Sequence, residues 1–327
     1  MIDAPGAKSL VWVGETLYDV AAGWRSFPLD GTPGSSRFSG YGDQFDAATI
    51  SPGGDVVALL ASTGTKALLL ASDSHLIREV NRSYYCAEAF RYPLVLCTLP
   101  DGRTGMVHCP EDYNRLEIED AVTGERLTAG ANRKPGDFFH SRLAVSSNGR
   151  YLLSAGWFWH PWGSLAVYDL ARALIEPAAL DSFGDVFDLR GLVQAEVAGA
   201  CFVDEDIAIS TSSEPNDPNS PDDLAPNMLA LWSPATRTFS WRRQLDLTAG
   251  DLVPFAGDIL ALHDHPRLYA TATGNLIGEW PDLATGHADS SIVWDKSFSG
   301  PARVAVDQAN GRFAVTDGDR ITVVHLR

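Results

Sequence analysis

One unit of sequence recurs along this chain, and it constrains the fold more than any other feature. In "RLAVSSNGRYLLSAG" (142–156) an apolar strand ends in a Ser-Ser-Asn-Gly turn, and Arg150 opens a second strand. "FDAATISPGGDVVALLAS" (45–62) has the same grammar, with Ser51-Pro52-Gly53-Gly54 at the turn. "ARVAVDQANGRFAVTDGDRITVVHL" (302–326) repeats it with Asn310-Gly311 and continues into a third strand. Less regular copies begin near Ala87, Ala195 and Asp251.

The second half of the unit recurs as well. "RLEIEDAVTGERL" (115–127), "LAVYDLARAL" (165–174), "LALWSPATRTFSW" (229–241) and "RLYATATGNLIGEWPD" (267–282) each read as strand, turn, strand. Starts near 46, 87, 141, 195, 251 and 302 lie 41–56 residues apart. That is the period of a four-stranded propeller blade. Helical periodicity is nearly absent, with one short turn or helix expected in "DLARALIEPAAL" (169–180). The predicted fold is all-β, a single β-propeller domain over 1–327 built of four-stranded antiparallel blades.

The blade count depends on the ends. Residues 9–31 read as the second, third and fourth strands of a blade, and 302–326 as the first three. Six full starts plus this split material give six blades or seven, and seven is favoured. In either case N- and C-terminal strands should close the ring, with residues 9–29 pairing against or beside 302–326, because an open ring leaves bare sheet edges.

The turn-plus-strand grammar resembles the WD-repeat-like propellers of the quinoprotein amine dehydrogenase-like type. More closely, "FDAATISPGG", "NRSYYCAEA", "HCPEDYNRLEIEDAVTGERL", "FFHSRLAVSSNGRYLLSAGW" and "WPDLATG" look like a bacterial family of propeller proteins for which no activity is established. The resemblance covers most of the chain and implies the fold, not a mechanism. The Gly-His and Trp-Asp dipeptides of the strict WD repeat are missing from the blade positions, so the partner rules of that repeat do not carry over.

Within this frame "GWFWHPWG" (156–163) stands out, with Trp157, Phe158, Trp159, His160 and Trp162 in eight positions. It joins two strands by more residues than a simple hairpin needs. Alternation sends Trp157 and Trp159 to one side and Phe158 to the other until Pro161 ends the strand. Such rings serve either as a stacking platform for a partner or as packing between blades. "NRSYYCAEAF" (81–90), "HCPEDYNRLE" (108–117) and "KPGDFFHSR" (134–142) add Arg82, Tyr84, Tyr85, His108, Glu111, Asp112, Tyr113, Arg115, Asp137, Phe138, His140 and Arg142 near blade entrances. These groups either hold a ligand together or tie neighbouring blades. The candidate binding face is Trp157, Trp159, His160, Trp162, Tyr84, Tyr85, His108, Tyr113, His140 and Arg142.

Chemistry beyond binding is thinly signalled. No nucleophile elbow, zinc-protease helix motif, Walker loop or dinucleotide fingerprint is present. Cys86, Cys97, Cys109 and Cys201 are scattered without a C-x-x-C pair, which reads as four reduced, buried thiols and no metal. His263 and His265 in "LHDHP" would share one face of a strand and are the weak metal candidates, needing a third ligand from another blade. Glu214, Asp217, Asp222 and Asp223 lack the ligand spacing of a calcium loop.

Lys and Arg number 25 against 42 Asp and Glu, a formal charge of −17 that would repel a phosphate backbone. "MIDAPGAKSL" has no leader pattern, and no apolar run reaches membrane length. The expectation is therefore a cytoplasmic protein without cofactor, nucleic acid or membrane partner. Two functions remain: a non-catalytic scaffold docking an unknown protein partner, or a propeller enzyme, metal-assisted hydrolase or lactonase-like, with its site at the central channel.

Overall fold

The recurrent turn is visible atom by atom in the computed structural model, which describes residues 1–42, 44–159, 162–184, 186–188, 195–215, 224–287, 290, 292 and 303–326. In 51–56 the Ser51 N–H donates to the Val56 carbonyl at 2.8 Å and Gly54 closes onto Ser51 at 2.9 Å. In 146–151 Ser146 and Tyr151 make the same bond at 2.9 Å, and Gly149 closes onto Ser146. Each serine hydroxyl also accepts the N–H five residues on. Gly54 and Gly149 share a φ of 74°, a left-handed conformation that glycine adopts without steric cost. One turn chemistry, repeated, starts one blade after another.

Seven antiparallel sheets follow in chain order. Blade 1 comprises Leu10–Val13, Thr16–Asp19 and Arg25–Phe27, and blade 2 comprises Ala47–Ile50, Val56–Leu60, Lys66–Ala71 and Leu76–Asn81. Blade 3 is Leu94–Thr98, Thr104–His108 and Glu117–Asp120, with Arg126 bridged to Glu119 as the start of a fourth strand. Blade 4 holds Leu143–Val145, Tyr151–Phe158, Trp162–Asp169 and Phe187–Asp188, and blade 5 holds Ala195–Val203, Asp206–Pro215, Met228–Ser233 and Thr238–Gln244. Blade 6 is Leu252–Phe255, Asp258–Ala261, Arg267–Tyr269 and Leu276–Glu279. Blade 7 takes Arg303–Asp307, Arg312–Thr316 and Arg320–His325 from the C-terminal part and Ile2–Asp3 from the N-terminal part. The expected helix is Leu170–Ile175, capped by the Asp169 carboxylate.

The ring thus has seven blades, and its closure corrects one expectation. Residues 9–29 do not complete the last blade; 10–27 form the first three strands of a blade of their own. The closing strand is Ile2–Asp3, paired antiparallel with Ile321 and Arg320. Both stretches alternate strand and turn, so periodicity alone could not assign them to one sheet or two. The two blades do lie side by side: Trp12 Nε1 donates to the Ala305 carbonyl at 3.1 Å, and the Arg312 guanidinium covers the Trp12 ring. The start expected near Ala87 is a single 3-10 turn at Ala87–Ala89, and the strand begins at Leu94.

Seven hydrophobic clusters map one-to-one onto the seven interfaces between neighbouring blades. Tyr151, Leu153 and Val167 meet Ile207, Ile209 and Trp232 between blades 4 and 5, for example. Phe255 and Leu260 meet Phe313 and Val315 between blades 6 and 7. Burial of apolar area between sheets is the main favourable contribution to this architecture. An eighth cluster belongs to none of the seven interfaces.

Candidate functional site

The eighth cluster consists of Ala89, Phe90, Phe139 and Trp157, with Cys86, Tyr113 and Ile292 against it. Strand direction alternates within a blade. The segment entering each first strand and the loop between the second and third strands therefore open on the same face of the ring. Phe90 precedes blade 3, Phe139 precedes blade 4, Tyr113 lies in the second connection of blade 3, and Trp157 ends the second strand of blade 4. All four converge on one face.

The stretch expected as a long loop is largely strand. Tyr151–Phe158 and Trp162–Asp169 pair through to Trp157 with Gly163 and Phe158 with Trp162, leaving only 159–161 as the connection. The hairpin is extended because a further segment lies alongside it: Phe139 and Trp157 exchange both backbone hydrogen bonds, at 2.7 and 3.1 Å. This approach requires Gly156, since a Cβ there would lie 2.0 Å from the Phe139 carbonyl oxygen. Backbone pairing sets the rings face to face, with Phe139 and Trp157 stacked at 3.8 Å and 9°.

A stack grows outward from that pair. Tyr113 lies on Phe139 at 4.1 Å, Tyr85 contacts Tyr113 at 5.0 Å, and Trp159 contacts Trp157 at 5.5 Å. Phe90 meets Trp157 edge-on. Trp157 and Trp159 share a side, as alternation requires, while Phe158 turns to the interface of blades 3 and 4. Trp157 is fully buried, whereas Trp159 is 48% exposed, Tyr85 51% and Tyr84 82%. The cluster has a core at its base and open rings at its top. The Tyr113 hydroxyl donates to Asp137 at 2.6 Å, and burial together with that carboxylate pushes its phenol pKa up.

The other expected face residues divide differently. Arg82 is buried and donates to the carbonyls of Gly64, Ala87 and Phe90; burial draws its pKa down to about 10. His140 sits 3.1 Å from the Ser154 hydroxyl, and burial pushes its imidazole down to about 3, so it is neutral at pH 7. His108 lies 3.1 Å from Glu119, which Arg78 of blade 2 also holds at 2.7 Å. Burial raises Glu119, but His108 and Arg78 outweigh it and hold the carboxyl near 2. Arg142 donates to the Ala155 and Ala198 carbonyls and pairs with Asp251 at 2.8 Å, while Arg91 takes the other oxygen of Asp251 at 2.5 Å. Arg82, Arg142 and the Arg78–Glu119 pair tie neighbouring blades, whereas His108 meets Glu119 within blade 3 and His140 meets Ser154 within blade 4. Trp162 is half-buried, and His160 lies outside the described residues.

The metal candidates also separate. His265 turns toward Glu279, at 3.5 Å. His263 instead faces Asp264 at 3.6 Å and the ring of His287 at 5.2 Å, and His287 is 2.7 Å from Asp264. The four cysteines are free; three are buried, whereas Cys86 is only half-buried beside the aromatic cluster. Glu214 is exposed, and Asp217, Asp222 and Asp223 lie outside the described residues.

Sequence reading missed Phe90, Phe139 and His287. Period-two alternation from Asp137 separates Phe138 from Phe139 and offered a signal for the second. Nothing local marks His287, which reaches Asp264 only because Gly286 bridges to it.

Among solved structures, a chain in a crystal structure of the mitotic checkpoint complex superposes with a TM-score of 0.63. The match covers 99% of this chain and 90% of that one at 12% identity. The fold is a WD-repeat-like seven-bladed β-propeller. No protein-family model and no curated protein matches the sequence. What the likeness shows is therefore the propeller itself. No helix among the described residues of this propeller is long and apolar enough to cross a membrane.

Proposed function

We propose that the protein is a non-catalytic propeller scaffold that docks a protein partner on the face carrying the eighth cluster. One observation carries this reading: an apolar cluster that no blade interface requires, topped by the accessible rings of Tyr85 and Trp159. Exposed aromatic area of this kind is an aggregation liability unless it is used. Trp and Tyr anchored on a rigid base are also the side chains that most often dominate interface energetics. The matched propeller is part of a complex, which supports the same use of the fold. Fold likeness alone remains analogy.

The partner in this reading is a protein bound through rings rather than charge, and nucleic acid is disfavoured by the net charge of −17. Four free thiols, three of them buried, support a reducing compartment such as the cytoplasm. The chain acts as one domain.

The test uses affinity capture from the native lysate with the wild type, a Tyr85→Ala/Trp159→Ala variant, and Ile175→Ala as a control. Ile175 is 87% exposed on the connection after a third strand, hence on the opposite face. A partner lost from the first variant and retained by the control supports the proposal. Equal recovery of every captured protein by all three chains sinks it. The alternative, a metal-assisted enzyme at the channel, gains one observation, the grouping of His263, Asp264 and His287.

A further inference from the structure

We infer that His263, Asp264 and His287 form a binding site for one divalent transition metal ion at the mouth of the central channel, on the face that carries the aromatic cluster but apart from that cluster. His263 and Asp264 sit in the connection after the second strand of blade 6, and His287 in the segment that leaves that blade. One ligand atom from each residue can be chosen so that all three lie within 4.8 Å of one another. Two imidazoles and a carboxylate are the donor set of many three-ligand zinc sites, which keep a further position open. A tetrahedral site spaces its ligand atoms roughly 3.4 Å apart. Closing the observed spacing to that value takes side-chain adjustments of about 1 Å, with no backbone movement.

The backbone is already fixed for this. Asp264 donates its N–H to the Gly286 carbonyl at 2.8 Å, and Thr285 donates to the Asp264 carbonyl at 2.9 Å. The Thr285 hydroxyl in turn holds the Leu262 carbonyl at 2.5 Å. These bonds place His287 against Asp264 although the two are 23 positions apart in sequence. Asp264 has a φ of +63°, a left-handed conformation that Asp and Asn tolerate and most side chains do not. The strained position presents its carboxylate between the two imidazoles.

The site opens inward. Asp264 and His287 line a cavity of about 770 Å³ formed by the entry segments of several blades, whose wall also carries Arg91 and Arg303. The space beside the site therefore carries charge of both signs, Asp46 and Asp317 together with Arg91 and Arg303. His265, by contrast, is turned away toward Glu279 and is no part of the site. This inference does not rest on the scaffold reading, and either can fail without the other.

Titration of the full-length chain with ZnCl2 by calorimetry tests it. The wild type and His265→Ala should each bind one equivalent with the same affinity. His287→Ala, a change at a side chain 55% exposed, should bind at least tenfold more weakly. Asp264→Asn should do the same while keeping the left-handed backbone, and melting in EDTA confirms that both variants fold like the wild type. Bound Co2+ should give the visible bands of a nitrogen and oxygen site, without the thiolate charge-transfer band that Cys86 would contribute. No saturable equivalent of zinc in the wild type, unchanged affinity in both variants, or a thiolate band overturns the proposal.

Discussion

The aromatic shelf and the ionic clamp on the same face are made by the same two segments, to opposite ends. Phe90 and Arg91 are consecutive; Phe139 and Arg142 are three apart. The phenyl rings, themselves buried, form the base of a stack that ends at exposed Tyr85 and Trp159. The guanidinium groups turn inward and grip Asp251 at the entrance of blade 6, with the Arg142 and Asp251 side chains 8% and 12% exposed. The shelf leaves surface unsatisfied; the clamp leaves almost none. A segment that enters a blade can therefore serve both as a tie and as the base of a binding surface.

The clamp should be the more costly to break. Burial alone would raise the Asp251 carboxyl, but Arg91 and Arg142 together hold it below the usual carboxylate range, so it stays charged between them. Asp251→Ala would leave two guanidinium groups without their shared counter-charge. Removing one partner of a buried pair costs on the order of 3–5 kcal/mol. Urea unfolding of the variant should show a loss of that size. A loss below about 1 kcal/mol would mean that the clamp behaves like an exposed ion pair and that its contrast with the shelf is false.

At the base of the shelf, Trp157→Ala should cost about 3–5 kcal/mol of stability, the usual penalty for emptying a buried aromatic site. Trp157 is fully enclosed and stacked on Phe139. Denaturant midpoints measure this directly. A loss near that of an exposed substitution would show that Trp157 belongs with the rim rather than the base.

How far this division was legible in the sequence depends on the range of each interaction. The turn grammar of 51–56 and 146–151 is local, so the repeat disclosed the blades. Alternation in 157–159 correctly placed two tryptophans together and Phe158 apart. What sequence could not disclose was partnership across blades. Arg142 and Asp251 are 109 residues apart, and only the ring brings them together. The same holds for closure: Ile2 pairs with Ile321, and no local pattern distinguishes that strand from a tail. Sequence reading thus groups His108, His140 and Arg142 with Tyr85, Tyr113 and Trp159, although the first three are buried in polar contacts and the others belong to the aromatic cluster.

Titration separates two kinds of buried polar group. His140 is held neutral by burial, with its pKa pushed down to about 3. Its unfolded imidazole takes a proton below about 6.5. The stability it contributes is therefore complete above that value and is lost as pH falls toward 3, by about 1.4 kcal/mol per pH unit. Asp251, a depressed carboxyl, begins to lose its contribution only below about 4, as its unfolded form protonates. Unfolding at pH 7, 6 and 5 should show the histidine slope, flattened in His140→Gln. An unchanged slope in that variant would assign the pH dependence to other groups.

The smallest effect on stability should come from the rim. Trp159 is 48% exposed and touches the stack only at 5.5 Å from Trp157 and 5.9 Å from Phe139. Trp159→Ala removes a ring already half in water and opens no closed cavity, so the fold should lose no more than about 1 kcal/mol. If the shelf is an interface, the same substitution should weaken a partner by roughly 2 kcal/mol or more, as truncation of an aromatic anchor does. Trp157→Ala and Trp159→Ala thus form a pair with opposite expectations, one read in melting and the other in binding. Their rings are two residues apart and on one side, Trp157 inside the strand that ends at Phe158 and Trp159 one residue beyond it. They differ in the depth at which each ring sits, which makes the pair a direct measure of where this propeller's core stops and its binding surface starts.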